Sequence, residues 1–558
     1  MKTFLVLFFS ISLCALNAQV IFLDGQFNDW SNPDLVIEDG TDNPSAINVH
    51  KLEVQFDDEY VYFKIELDRE ILLQQNNDIL LGVDFDANPQ TGLDHGNIGA
   101  EWVFNFGNRS GFLFNGGILL SEHDDVGLVA APTVSSEVFE VALLREFRKN
   151  GINFRMGDEI NVHISTQGEF GDWAPSSGIA SLDISAVRPI QVPQYQLAKD
   201  ASTEFRFVSY NVLRDNIFKP SVQNDFRRLM QAVDADVYCF QEIYDNDEND
   251  LLDLMLDLDI LDNTLNWYAA KKGPDLIMIS RYPIVFDQAI GNNSIQVVDV
   301  DGQDVFIVNT HLPCCENDLG REIEIDQILQ YIRRAKDNTV GYNLEENTPI
   351  IICGDMNLVG QSSQLEALIE GDIFDNSFFG PDVTMDWDGS SLEDLTAPTT
   401  GFPAAFTWYS PFSSFFPGRL DFVLFTDSRL EVLNSFVLNS QGLDQSEQTE
   451  YQILDGASLN ASDHMPVVAD FKIKTSVSTT EASFDFHVDL YPNPAEGTFN
   501  IRSQEILVKI NCLTMDGRIV RQVVPDNKLT QIELPTGVYL IEIINSQGKR
   551  TVEKLTVF

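Results

Sequence analysis

The stretch that most constrains this chain is Thr348–Gly360, TPIIICGDMNLVG. An apolar, largely β-branched run reaches Gly354 and is followed at once by Asp355, Met356 and Asn357. A short run of that kind reads as a buried strand with polar groups at its carboxyl end. Side chains alternate along a strand with period two, so Asp355 and Asn357 are expected on one side. A carboxylate and an amide held together at a buried strand tip suit a phosphate, an attacking water or a metal ion. The same letters also make an ordinary turn, because Asp, Asn and Gly are common turn residues. Other stretches decide between the two.

Those stretches lie on both sides. FRFVSYNVL reads as a strand with Asn211 near its end, followed by a helical segment around Asp225–Val233. ADVYCFQEIYD is a strand closing on Gln241–Glu242. Then come PDLIMISRYPI, DVFIVNTHLP, the helical LGREIEIDQILQYIRRAKD, FTWYSPFSSFFPGRLDFVLF and ASDHMPVVADF. Strands and helices alternate, and polar residues collect at strand ends. That pattern predicts a layered α/β domain over residues 203–473 with its site along one sheet edge.

The markers SYN, QE, SRYP, NTHL, GDMN, RLDFV and SDHMPV, in this order, resemble the endonuclease/exonuclease/phosphatase superfamily. That superfamily includes DNase I-like nucleases, abasic-site endonucleases, neutral sphingomyelinases and inositol polyphosphate phosphatases. The resemblance implies a DNase I-like four-layer α/β sandwich that hydrolyses phosphoesters. It assigns Glu242 as main ligand of Mg²⁺ or Mn²⁺, with Asn211 and Asp463 beside the metal; hard carboxylate oxygens suit such ions. His464 would activate water or hydrogen-bond the phosphate, with Asp421 fixing its tautomer. His311 would stabilise the transition state or protonate the leaving oxygen, and Asp355 and Asn357 would position water and phosphoryl oxygens. Asp355, His464 and His311 all compete for the role of base. Arg281 and Arg321 are read as structural or phosphate-contacting.

Residues 19–186 hold short alternating runs separated by turn residues, among them HKLEVQFDD, YVYFKIELD and EINVHISTQ. They predict an all-β sandwich. FLDGQFNDW and GVDFDANPQTGLDHGNIGAEWVFNF resemble family-9 carbohydrate-binding modules and related DOMON-like sandwiches, which implies a polysaccharide partner. Asp84, Asp86, Asn88 and Glu101 place oxygen ligands at a spacing that suits Ca²⁺ as well as a plain acidic turn. Trp30, Trp102 and Trp173 could stack on sugar or fill the core, and core is expected for Trp30. Residues 187–202, with Pro189 and Pro193, are the expected linker.

Residues 1–18 read as a signal peptide, with Lys2, an apolar run from Phe4 and cleavage after Ala18. No later stretch is long and apolar enough to cross a bilayer. TSVSTTEAS opens a linker over residues 474–484. From DLYPNPAEGTFNI to the end, residues 485–558 resemble a C-terminal sorting domain of the type IX secretion system, implying a small β-sandwich, export machinery as partner and a released or cell-surface protein. Five cysteines beyond the leader show no disulfide framework. Cys239 and Cys353 fit a core, and Cys314–Cys315 a loop thiol pair or vicinal disulfide.

Charge bears on the substrate. The chain has 86 acidic against 35 basic residues, net −51. It lacks the basic footprint of a duplex binder, so a phosphate must be received locally. The leading expectation is a secreted metal-dependent phosphodiesterase, most of all an extracellular endonuclease on DNA or RNA. The alternatives are a sphingomyelinase- or phosphatase-like hydrolase of lipid or small phosphoesters, and, in another class, a non-catalytic glycan-binding adhesin.

Overall fold

The computed structural model describes residues 21–40, 47–166, 171–474, 488–503, 507–514, 519–525, 529–545 and 550–558. The signal-peptide segment and the linker beyond Lys474 lie outside the described residues. The chain divides into two compact units after Lys474.

Within the first unit, residues 35–184 form a β-sandwich. One sheet is built on Val49–Phe56, Tyr60–Ile71 and Ser136–Leu144; the other on Ile79–Asp84, Trp102–Asn105 and Glu159–Thr166. Alternate residues of both sheets, such as Leu52, Val54, Phe63, Leu81, Val83, Phe104 and Val162, meet in one core. Trp102 is fully buried and Trp30 nearly so, while Trp173 is half exposed. Buried Glu140 accepts from the Trp30 indole at 2.8 Å, so Trp30 serves the core as expected.

Two sandwich histidines face each other, His163 Nδ1 lying 3.2 Å from His95 Nε2. Burial, with the His95 charge second, pushes His163 down to about 4. The unfolded chain therefore binds a proton between pH 6.5 and 4 that the folded chain refuses. Stability from this pair is full above about pH 6.5 and falls as the pH drops toward 4. In His163→Gln the slope of Tm against pH over that window should flatten; a slope equal to that of the parent sequence would show that the pair does not titrate.

Residues 205–473 form the α/β part. Its strands include β1 (Phe205–Asn211), β2 (Val237–Gln241), β3 (Gln303–His311), β4 (Ile350–Asp355), β5 (Asp421–Phe425) and β6 (Val467–Ile473). One six-stranded sheet contains β2, β1 and β6, and a second contains β3, β4 and β5. Apolar residues of both, such as Phe207, Cys239, Ile307, Ile351, Cys353 and Val423, share a core. Helices Gln223–Val233 and Glu248–Asp257 cover the first sheet, and Asp318–Lys336 with Ser363–Glu370 cover the second. The order is helix, sheet, sheet, helix: the expected four-layer sandwich. Gly354 explains why β4 ends as it does. Its φ is +135°, and a Cβ there would sit 1.8 Å from the Thr310 carbonyl oxygen, so only glycine fits between β3 and β4.

The sandwich is not an appendage on a free linker. Ile21, Leu23, Tyr60, Tyr62 and Ala142 share a core with Ala404, Phe406 and Val437 of the α/β part. Leu23 exchanges backbone hydrogen bonds with Pro403 and Ala405, each 2.9 Å. The connecting stretch is tied down too: Arg188 pairs with Asp34, and Lys199 with Asp236 at 2.8 Å.

The second unit has a three-stranded sheet (Val488–Tyr491, Thr498–Ser503, Leu529–Glu533) and a four-stranded one (Leu507–Thr514, Ile519–Val523, Gly537–Asn545, Arg550–Val557). Phe499, Ile501, Ile510, Ile541 and Leu555 form its core. Among the described residues no helix is long and apolar enough to cross a membrane.

Candidate active site

Strand register assembles the site. In the parallel pair β3–β4, His311 lies opposite Asp355; in the antiparallel pair β4–β5, Asp355 lies opposite Asp421. Three chemically active residues from distant parts of the sequence therefore stand abreast at one sheet edge. In the other sheet Asn211 lies opposite Gln241, one residue before Glu242. The facing sheets are clamped by buried amides: Gln241 Nε2 donates to Asn309 Oδ1 at 2.8 Å, and Asn309 Nδ2 to the Phe240 carbonyl at 3.2 Å. These bonds account for the Gln of QE and the Asn of NTHL.

Everything converges on Asp355, which is buried. Asn211 Nδ2 donates across the sheets to Asp355 Oδ2 at 2.9 Å and to Glu242 Oε1 at 3.2 Å. His311 Nε2 and His464 Nε2 each lie 3.6 Å from the same Asp355 Oδ2. Each imidazole is held from behind by its own carboxylate. His464 Nδ1 is 2.8 Å from Asp421 Oδ2, and His311 Nδ1 is 2.6 Å from Asp275 Oδ2. A carboxylate accepting from Nδ1–H fixes the ring orientation and stabilises the imidazolium, whose Nε2–H then faces the cleft.

Asp275 was not singled out from the sequence. It stands in PDL just ahead of an apolar strand, where it resembles a turn acid. The tell would have been a second histidine without a carboxylate assigned to it.

Charge follows geometry. Burial alone would lower both imidazoles, but their carboxylates outweigh it. The Asp275 hydrogen bond with the Asp355 charge lifts His311 to about 9. Asp421 and Asp355 lift His464 to about 10. Asp355 is raised to about 6, first by burial and then by Asp421, against the pull of the two imidazoles.

The backbone at the site is unusual. Leu213, Arg214, Asp215 and Glu242 all have φ between 50° and 64°. Four non-glycine residues in the left-handed region mark a strained corner of the kind found at functional sites. The Arg214 N–H donates to Glu242 Oε2 at 2.9 Å, so the corner fixes that carboxylate. Asn357 also has a positive φ, 48°. Asp355 and Asn357 do share the cleft, but a left-handed turn brings Asn357 there, since β4 ends at Asp355 and alternation stops with it. Asn357 Nδ2 donates to the Leu312 carbonyl at 3.1 Å and pins the loop after His311.

Glu242, His311 and Asp355 offer ligand atoms within 4.8 Å of one another, as do Asp355, Asp421 and His464. Carboxylate oxygens of Glu242 and Asp355 beside an orienting amide fit a hard divalent cation. Asn211 Oδ1 is engaged by the Leu213 N–H at 3.0 Å, so its amide nitrogen faces the two carboxylates. Asp463 stands outside both groups. Its Oδ2 accepts from the Trp408 indole at 3.1 Å, and its buried Oδ1 has no hydrogen-bond partner. Trp408 lines the cleft.

Arg321 is fully buried and bonds Gln364, Asp318 and the Pro313 and Cys315 carbonyls; it props the loop after His311. Arg281 pairs with Asp236 at 2.9 Å. Cys314 and Cys315 stand at the cleft rim, sulfurs 2.6 Å apart. In the sandwich, Asp84, Asp86 and Glu101 also come within 4.8 Å of one another. Asp84 is buried and accepts from Asn161 Nδ2 at 2.7 Å, and Asn88 Oδ1 caps a turn by accepting from Gln90 N.

Residues 208–464 match the model of the endonuclease/exonuclease/phosphatase family, and residues 489–557 that of a secretion-system C-terminal sorting domain. An exodeoxyribonuclease of Bacillus subtilis (strain 168) is 27% identical over 151 residues, 25% of this chain. The chain spans about half, 55%, of that relative's length. Among solved structures, a humanized D. rerio TDP2 aligns at 15% identity and TM-score 0.32, covering 48% of this chain and 98% of that one. An endonuclease/exonuclease/phosphatase family protein from Leptotrichia buccalis C-1013-b aligns at 17% identity and TM-score 0.31, covering 48% and 99%.

Proposed function

We propose that the endonuclease/exonuclease/phosphatase domain of residues 208–464 is an active, divalent-metal-dependent phosphodiesterase, exported by way of its C-terminal sorting domain and acting on extracellular DNA or RNA. One observation carries this reading: two carboxylate-backed histidines present Nε2 to one buried carboxylate oxygen beside Glu242. An adhesin has no use for that convergence.

Glu242 would hold Mg²⁺ or Mn²⁺, with Asn211 orienting its carboxylate. The bound ion supplies Lewis-acid stabilisation of charge on a phosphoryl oxygen. Asp355, at the centre, accepts the proton of a water placed in line with phosphorus. His464, held by Asp421, donates from Nε2 to a non-bridging phosphoryl oxygen as charge grows there. His311, held by Asp275, donates to the leaving side. Asn357 locks the loop that positions His311. Asp463 keeps Trp408 against the site. A glycan-holding role for the sandwich rests on Trp173, since Trp30 and Trp102 are in the core.

The test is hydrolysis by the purified chain with Mg²⁺ or Mn²⁺ on single-stranded DNA, plasmid, RNA, sphingomyelin and bis(p-nitrophenyl) phosphate. Metal-dependent cleavage of nucleic acid is expected. Turnover of sphingomyelin alone would move the protein to lipid substrates, and inertness on all five would leave the adhesin.

A further inference from the structure

The cleft over the catalytic residues has a volume of about 840 Å³ and is not built by the catalytic domain alone. Gln74, Gln75 and Thr133 of the sandwich line it together with Trp408, Phe415 and Phe416. The segment between Trp408 and β5 leaves the α/β part and is gripped by the sandwich. Phe416 is buried in the sandwich core, 5.6 Å from the Phe104 ring and 6.2 Å from Phe106. Its N–H donates to Gln74 Oε1 at 2.8 Å. The Arg109 guanidinium lies 4.1 Å over the Phe415 ring, donates to Ser414 Oγ at 3.1 Å and also bonds the Gln74 carbonyl. His123 Nε2 meets the Ser413 carbonyl at 2.9 Å, and Thr133 Oγ1 accepts from Arg419 N at 2.9 Å. The wall is thus fixed along its length.

Its chemistry is selective. Among the described residues lining the cleft, Arg214 is the one Arg or Lys, set among Glu242, Asp275, Glu316, Glu324 and Asp355. A duplex needs several cations tracking its phosphates. This wall offers side-chain amides and an aromatic face instead. Rings stack on the plane of a base, which requires a base free of its partner, and the amides can then read its edge. With Gln74 Oε1 engaged by Phe416, its amide nitrogen is the group it can offer.

We propose that the sandwich selects the substrate: Gln74, Gln75 and Phe415 receive an unpaired nucleobase next to the scissile phosphodiester, so the enzyme takes single strands and refuses duplex. This rests on the phosphodiesterase reading above.

The test compares kcat/KM of the full chain on a single-stranded oligonucleotide, on the same strand with a tetrahydrofuran abasic unit at the scissile position, and on the matched duplex. Bis(p-nitrophenyl) phosphate reports the chemistry separately. The base-bearing strand should beat the abasic one by about tenfold, the order expected of one stacked base. Gln75→Ala and Phe415→Ala should each bring that ratio toward one, and Phe415→Tyr should keep it. Equal cleavage of base-bearing and abasic strands, duplex cut as fast as single strand, or variants that leave the ratio unchanged would overturn the assignment while hydrolysis of the small diester upheld the phosphodiesterase. No hydrolysis of the small diester would sink both.

Discussion

Replacing His464 by alanine lowers kcat on bis(p-nitrophenyl) phosphate by about a thousandfold, within the range for a positioned acid–base group. His464 is buried, its Nδ1 on Asp421 and its Nε2 toward Asp355, so it is fixed in one orientation. Water cannot replace it, because a water fixes neither tautomer nor direction. KM should change little, since donation to phosphoryl oxygen matters most as charge develops in the transition state. Asp421→Asn should cost less alone and almost nothing more on top of His464→Ala, because the two act as one unit. Full additivity in that double-mutant cycle would mean that Asp421 has a separate role. The alanine variant also strands a buried carboxylate, so its Tm must be measured beside its kinetics. A variant that stays folded and keeps a tenth of the activity would remove His464 from the mechanism.

The second large effect belongs to Glu242. Glu242→Ala should abolish turnover and also the response of the folded chain to the cation. A ligand at a hundred times its Kd adds about 2.7 kcal/mol to stability. The parent sequence should therefore melt higher in saturating Mn²⁺ than in EDTA, and Glu242→Ala should melt alike in both. Glu242→Gln is the sharper control. It can still accept from the Arg214 N–H and preserves the strained corner, but it removes the charge that holds the ion. If the glutamine variant keeps the Mn²⁺ shift, the ion sits elsewhere, with Asp355, Asp421 and His464 as the other cluster.

A layered α/β domain was legible because its buried strands are continuous apolar runs ending in polar residues, a pattern that needs no tertiary information, while its four layers were implied by the family resemblance. Asp355 could be picked out by its place at a strand end, and His311, Asp421 and His464 by their match to the family's motifs. The pairing Asp421–His464 was legible too, as a family expectation. The Asp275–His311 pairing was not. It joins a turn ahead of one strand to the end of another in the facing sheet, a contact that no local pattern encodes.

The largest gap concerns the sandwich. Its alternation announced a β-sandwich, and Val187–Ser202 a linker. Both inferences concern local order, and period-two alternation in a strand is the same whether its outer face meets water or another domain. Tyr60, Tyr62 and Ala142 sit on such an outer face and pack against the catalytic half. Phe416 shows the converse: a catalytic-domain residue that completes the sandwich core. The sequence alone determined the elements and, through its family motifs, most of the reactive side chains, because hydrophobic period and strand-end chemistry are local. Only the tertiary structure decided that His311, Asp355 and Asp421 stand abreast, that His311 has its own carboxylate and that the sandwich walls the cleft. Register and docking are set by contacts between segments far apart in the chain, and those exist only once it has folded.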